Sequence, residues 1–548
     1  MILFDREEII IRSLCHKFFW FSIFGISRAN KNKYDYAEWI NKAESTVCEG
    51  PLRRKNTEEA IQLIILVHTS EQQNGLIIDS INSVINQSVP NWELLVVVDD
   101  TTQLTSVCKD KRIKLFPKTA GSSFFESVNS VAFEVSGDLI TFISQGDLLS
   151  KYAVEYVTNC INAQLIVTDE DSLDVSGRRC NPFFKPDWNP DYLANYNYFS
   201  KAVIYDRKLF ARLGGFNCKA NDPCHDLALR ATTQLNNCQI VHISKILFHF
   251  NQYTNDKIYR IQFEVPEPTP LVTVIIPTKD QLELLEACID GLLNKTKYEN
   301  IEIIVIDNQS QHSETLEYLI ELENNQNIRV LKYEKAFNYS EMNNLAAKEA
   351  KGSLLCFLNN DVSMIEDDWL TEMVSQACRS EIGCVGAKLF YPDGTIQHAG
   401  VILGLKGYAS HAHKGFAGDA IGYFNRLQVA HNVSAVTAAC MVVRKEVFES
   451  VGGFDGVNLK VAYNDVDLCL KVREAGYRNL FTPYAQLVHH ESKSRGKTRS
   501  KSQQKELRKE SKYLVKKWGE VLTSDPAYNK NLTLLREDFS LGFDRVDL

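Results

Sequence analysis

The second half of the chain carries four aspartates and two histidines at spacings a fold could gather. Asp307 closes the apolar run IEIIVID, Asp361 closes LNND after SLLCF, and Asp465 and Asp467 open YNDVDLCLKVREAGY; His489 and His490 follow in TPYAQLVHHES. Carboxylates at neighbouring strand tips of a parallel sheet project into one crevice. One of the pair Asp307 and Asp361 is then placed to hold a ribose or base and the other a metal. Carboxylate plus imidazole fits Mn²⁺ or Mg²⁺ on a diphosphate, the imidazole favouring Mn²⁺. Helix starts favour acids, so Asp467, which has a counterpart earlier in the chain, takes the structural role and Asp465 the chemical one. Read alone, His489 is either a satisfied strand-end histidine or a ligand. Gln397, His398 and Gly400 (QHAG) form either a turn or a sugar-facing surface. Trp369 either packs the core or stacks on a sugar.

Positioning those groups requires strands alternating with helices, and the chain supplies the pattern twice. QLIILV (62–67) matches VTVIIP (272–277), WELLVVVDD (92–100) matches IEIIVIDNQS (301–310), and 124–147 matches 337–361. Then LGGF matches VGGF, HDLALR matches VDLCLK, and ILFH matches QLVH. Six correspondences in one order predict two copies of an α/β domain with mainly parallel sheets covered on both faces. The expected units are a helical segment at 1–58, the first copy at 59–255, the second at 266–498, and a helical basic tail at 499–548. The proline-rich stretch YTNDKIYRIQFEVPEPTP separates the copies.

Composition narrows the function classes. With 61 Lys plus Arg against 69 Asp plus Glu, the 548-residue chain has a net charge of −8, which argues against a protein that coats nucleic acid. Fourteen cysteines form no C-x-x-C pair and sit among apolar residues, the usage of a reducing, cytoplasmic compartment. The apolar run at 18–26 (FFWFSIFGI) is short of the roughly 20 residues a spanning helix needs, and is expected to pack on the first domain. Neither a P-loop nor a G-x-G-x-x-G motif occurs, which disfavours nucleotidases and dinucleotide oxidoreductases. The stretch 491–512 has nine basic and three acidic residues. It reads as a solvated helix, an anionic-membrane contact, or a carrier of Arg495 to a diphosphate.

The motifs IIPTKD, VIDNQS, LNND, QHAG, VGGF, NDVDLCL, TPYAQLVHHES and SRG together resemble the family 2 glycosyltransferases of GT-A fold, especially two-domain enzymes of bacterial O-antigen and rhamnan assembly. The resemblance covers about residues 60 to 540. It implies that Asp307 contacts the nucleotide with Pro277, Asn360 and Arg495 nearby, and that Asp361 and His489 hold Mn²⁺ or Mg²⁺. Asp465 is implied as the catalytic base, and Gln397, His398, Gly400 and Trp369 as lying near sugar and acceptor. The implied reaction is inverting transfer from a nucleotide-diphosphate sugar to a glycan or lipid-linked acceptor, by a cytoplasmic or peripherally membrane-bound enzyme. A silent glycan-binding scaffold and a bifunctional transferase are the alternatives.

Aligned by sequence, Asp307 falls on Asp99, Asp361 on Gly146, Asp465 on Cys224 and His489 on His249. The first copy is therefore expected to be degenerate, holding acceptor glycan or stabilising its twin. Extra chain in the second copy, around GYASHAHKG, is expected to build an acceptor site.

Overall fold

The computed structural model describes residues 36–45, 63–68, 74–99, 101, 104, 109–119, 121–133, 137–160, 162–251, 257–490 and 500–543. The run at 18–26 and Arg495 lie outside the described residues. Among them, no helix is long and apolar enough to cross a membrane.

The first half contributes strands β1 (Leu63–His68), β2 (Trp92–Val98), β3 (Ile113–Pro117), β4 (Leu139–Ser144), β5 (Leu148–Leu149), β6 (Leu165–Leu173), β7 (Arg179–Phe183), β8 (Val203–Asp206) and β9 (Ile240–Phe250). The second half contributes β10 (Val272–Thr278), β11 (Ile301–Asp307), β12 (Ile328–Lys332), β13 (Leu354–Leu358), β14 (Val362–Met364), β15 (Ile382–Phe390) and β16 (Ile396–His398). After these come β17 (Val401–Leu403), β18 (Ala409–His411), β19 (His431–Val433), β20 (Cys440–Arg444) and β21 (Arg478–His489). One sheet runs β3-β2-β1-β4-β8-β6-β9-β5, with β7 on β6. The other runs β12-β11-β10-β13-β20-β15-β21-β14, with β16 on β15 and β19 on β21. Strand for strand, the two paths are the same.

The expectation of mainly parallel sheets is corrected. Both sheets are mixed, because β8 runs antiparallel to β4 and β6, and β20 antiparallel to β13 and β15. Unbroken apolar strands report burial on both faces and not strand direction. That burial is observed: Ile304 and Ile306 of β11 belong to one core cluster, Ile303 and Val305 to the other. The helix Leu282–Asn294 covers one face through Leu285, Cys288, Ile289 and Leu292, the i, i+3, i+4, i+7 stripe of an amphipathic helix.

Strand registers also correct two sequence equivalences. Asp206 and Arg444 each precede a six-residue helix and pair with Leu139 and Leu354. Those leucines pair with Leu63 and Val272, which pair with Trp92 and Ile301. Counting along β2 and β11 then puts Val98, not Asp99, at the position of Asp307. Beyond β4 the first half carries one extra residue, so Gly146 and Asp147 together stand where the second half has Asp361.

The halves meet through the chain that the second half has in excess. Phe424 stacks on Phe183 at 3.6 Å between ring centroids, Asn432 bonds Asn189 and Asp191, and Arg379 pairs with Asp191 at 2.6 Å. Residues after the helix Lys501–Thr523 fill the seam. Asn529 donates to both oxygens of buried Asp169 at 3.0 Å, and Asp525 accepts from Leu403 and Ser434. The excess chain expected to build an acceptor site thus spends Phe424 and Asn432 on the joint.

Candidate functional site

The order β11-β10-β13 reverses direction at β10, and the crevice outside the carboxyl ends of β10 and β13 is where open α/β sheets take ligands. Thr278 closes β10 opposite Asp307, which closes β11. On the other side, the Asn360 amide donates to the Thr278 hydroxyl at 3.0 Å. Asp307, Thr278 and Asn360 therefore stand side by side, Asp307 and Asn360 about 10 Å apart at the usual strand spacing. Asp307 is buried and accepts from the Ser310 amide at 3.0 Å, while Asp280, with φ of 50°, accepts from the Gln311 and His312 amides. These bonds tie the loops after β10 and β11 into one wall. Pro277 lies in the buried end of β10, next to Thr278. Nothing in its spacing marked Thr278 as part of this row.

Asp361 and His489 come together because β14 pairs antiparallel with β21, Val362 opposite His489. His489 Nε2 is 3.1 Å from Asp361 Oδ1, and His489 Nδ1 is 2.8 Å from Gln397 Oε1. An amide oxygen only accepts, so Nδ1 carries the proton and Nε2 turns its lone pair toward the carboxylate in the neutral ring. A lone pair facing a carboxylate oxygen at that distance suits a shared divalent cation. Asn359 brings its amide to 3.3 Å of the same nitrogen. Among the described residues no group of three or more His, Cys, Asp or Glu could hold a metal. Asp361 and His489 are two groups of ligand chemistry, so a cation placed here would draw further oxygens from a bound substrate.

Asp465 lies in the first turn of the helix Asn464–Glu474, entered through Tyr463 in the left-handed region. Its carboxylate accepts from the Val466 amide at 2.8 Å and from Ala438 at 3.3 Å. Burial raises its pKa above the usual aspartate value, those hydrogen bonds opposing the rise. Asn359 N donates to Ala439 O, and the adjacent Ala438 N donates to Asp465, so the turn holding Asp361 and the backbone holding Asp465 are joined one residue apart. Asp467 is fully buried and bonded to Lys517 and Trp518, tying the last long helix to the domain.

Three expected sugar-facing residues lie deeper than anticipated. Trp369 is fully buried and donates to Thr296 at 3.0 Å, so it is a core residue and not a stacking platform. Gln397, buried, orients His489. His398 is fully buried, accepts from the Gly400 and Thr437 amides through Nε2, and meets His411 at 2.6 Å. Burial first, then His411 and His489, holds its pKa well below the ordinary histidine value. Gly400 is needed as glycine: its φ is 88°, and a Cβ would lie 2.8 Å from Val433.

The corresponding place in the first half is built differently. His249 opposes Leu148 as His489 opposes Val362, but its Nδ1 bonds buried Asp171 at 2.5 Å. Asp171 also takes Arg179 and Tyr36, each at 2.6 Å. Asp147 is spent on the Ser144 and Asn251 amides. Cys224 occupies the helix position of Asp465, its thiol pushed up to about 12 by burial.

Residues 273–452 match the family model "Glycosyl transferase family 2". An uncharacterized protein of Sinorhizobium fredii, y4gI, is 37% identical over 90% of this chain, and the O-antigen biosynthesis protein RfbC of Myxococcus xanthus is 33% identical over 84%. The chain spans 60% of the length of the first and 40% of the second. Among solved structures, the mannosyltransferase PcManGT of Pyrobaculum calidifontis, in complex with GDP-Man and Mn²⁺, is 18% identical over 44% of this chain and 62% of its own, with a TM-score of 0.33.

Proposed function

We propose that the half of the chain holding Asp361 and His489, in which residues 273–452 match the family 2 glycosyltransferases, carries out an inverting, divalent-metal-dependent transfer of a sugar from a nucleotide donor to a growing, lipid-linked bacterial surface polysaccharide. The observation that carries the metal site is the 3.1 Å approach of His489 Nε2 to Asp361 Oδ1, with Gln397 fixing the ring. The relative of that length with a printed role is an O-antigen biosynthesis protein, which supports the polysaccharide acceptor. Residues 266–498 act as the catalytic unit and 59–255 as a second, degenerate copy; the shared strand order supports that division. Lack of disulfides among the described cysteines fits a cytoplasmic setting.

Asp307 binds the ribose or base, and Asn360 and Thr278 line the path toward the diphosphate. Asp361 and His489 are the residues that would hold Mn²⁺ or Mg²⁺, and the ion would supply positive charge to stabilise a nucleoside diphosphate leaving group. Asp465 accepts the acceptor hydroxyl's proton as its oxygen bonds to the anomeric carbon and the carbon–phosphate-oxygen bond breaks. Its raised pKa makes it a stronger base than an exposed aspartate. One displacement inverts the anomeric centre.

A panel of nucleotide sugars with Mn²⁺, scored first by melting temperature and then by transfer, tests the reading. One donor is expected to raise the melting temperature through binding to the folded state and to give a product of opposite anomeric configuration. A retained configuration, or transfer undiminished in Asp465→Asn, would sink it.

A further inference from the structure

The first half has its own cavity, and its chemistry differs from that of the site just described. A pocket of about 440 Å³ opens at the carboxyl ends of β3 and β4, within the range that holds a small ligand. Its wall includes Ser144, Gln145, Ser200, Lys201 and Cys224. Strand registers make these the counterparts of Asn359, Asn360, Ala438, Ala439 and Asp465. The place in the fold is the same, but no carboxylate lines it and two lysines, Lys118 and Lys201, do. Among the described residues no carboxylate lies within 4.0 Å of the Lys201 ammonium, although its charge acts on buried Asp147 behind the wall, and Lys118 has a 3.9 Å contact with half-exposed Asp99. Phe124, Phe125, Phe142 and Phe216 also line it, together with Ser122 and Ser123. Ser200 is held with φ of 57°, in the left-handed region that a serine seldom adopts.

We propose that this pocket binds an anionic saccharide, a sugar ring carrying a phosphate or a carboxylate, without a metal ion. The aromatic wall meets the apolar face of the ring, the hydroxyls meet its polar edge, and the two lysines neutralise the charge that a cation neutralises in the other half. Because it concerns binding in the first half alone, it does not depend on the second half's activity.

The test is calorimetric titration of the full chain in EDTA with glucose 1-phosphate, glucuronate, glucose and inorganic phosphate. A sugar phosphate or a uronate is expected to bind about tenfold or more tightly than glucose or phosphate alone, and which of the two prevails identifies the anion. Lys201→Met and Lys118→Met, with unchanged circular dichroism, are expected each to weaken that binding about tenfold. Phe125→Leu, which keeps the bulk, is expected to weaken it less, and Asp361→Asn not at all. Overturning results are equal binding of inorganic phosphate and the sugar phosphate, binding lost in Asp361→Asn but kept in the lysine variants, or no heat from any of the four compounds.

Discussion

His489 and His249 end equivalent strands, and each lies across from the residue that opens the short strand after the same turn. One has its outward nitrogen aimed at Asp361 and its inner nitrogen anchored on Gln397. The other is locked onto Asp171, which Arg179 and Tyr36 already neutralise and satisfy. A shared backbone therefore does not make a shared site. What differs is which group each strand-tip histidine meets, and in the first half that group is a carboxylate already held by Arg179 and Tyr36. Holding it so favours stability, since a buried charge with a full set of partners escapes the penalty of desolvation without compensation.

Five substitutions separate the two halves. The largest effect is expected at Asp465: Asp465→Asn should lower transfer by about a thousandfold, as loss of a positioned base does, while Asp226→Asn, at the matching helix of the first half, should change it less than about twofold. Asp226 merely pairs with Arg230 on its own helix. Initial rates with the identified donor decide between them, and an equal loss in both would dissolve the distinction.

Next, Asp361→Ala should cost about a hundredfold in rate through lost stabilisation of the leaving group. Asp147→Ala should leave the rate per folded molecule intact but destabilise by about 2 kcal/mol, because two backbone amides lose their acceptor in a buried place. Urea melts alongside activity separate the two outcomes. Gln397→Ala should weaken Mn²⁺ binding about tenfold by freeing the ring of His489, and excess Mn²⁺ should restore the rate.

The smallest effect concerns pH and stability. Asp465 has a raised pKa in the folded chain, so its ionisation is a burden that is absent below the ordinary carboxylate pKa and complete above the raised one. Asp465→Asn is thus expected to melt at an equal or higher temperature at neutral pH although it is inactive. In the active chain the acid limb of kcat should lie above the ordinary aspartate range. A clearly lower melting temperature in the variant would mean that the carboxylate is structural.

Much of this was legible in the residues. The carboxylates closing IEIIVID and LNND mark strand tips, and the repeated motifs announce a repeated topology that both sheets display. Trp369 and His398 were less legible, because an aromatic ring or an imidazole suits a core as well as a sugar, and only packing tells which face is covered. Matching Asp99 with Asp307 failed for a related reason. An acid at one strand end invites alignment with an acid at another, whereas the strand registers put Val98 at the place of Asp307, and a shift of one residue turns a side chain to the opposite face.

The order of residues by itself determined that the chain builds alternating strands and helices twice, that carboxylates close strands in its later half, and that its family is readable from ordered motifs. These follow from local periodicity and residue chemistry. Tertiary structure alone decided that a glutamine orients His489, that Phe424 and Asn432 join the halves, and that two lysines line a pocket without a carboxylate. Those contacts link residues tens to hundreds of positions apart, and their formation depends on register and packing summed over the whole fold, which no local stretch encodes.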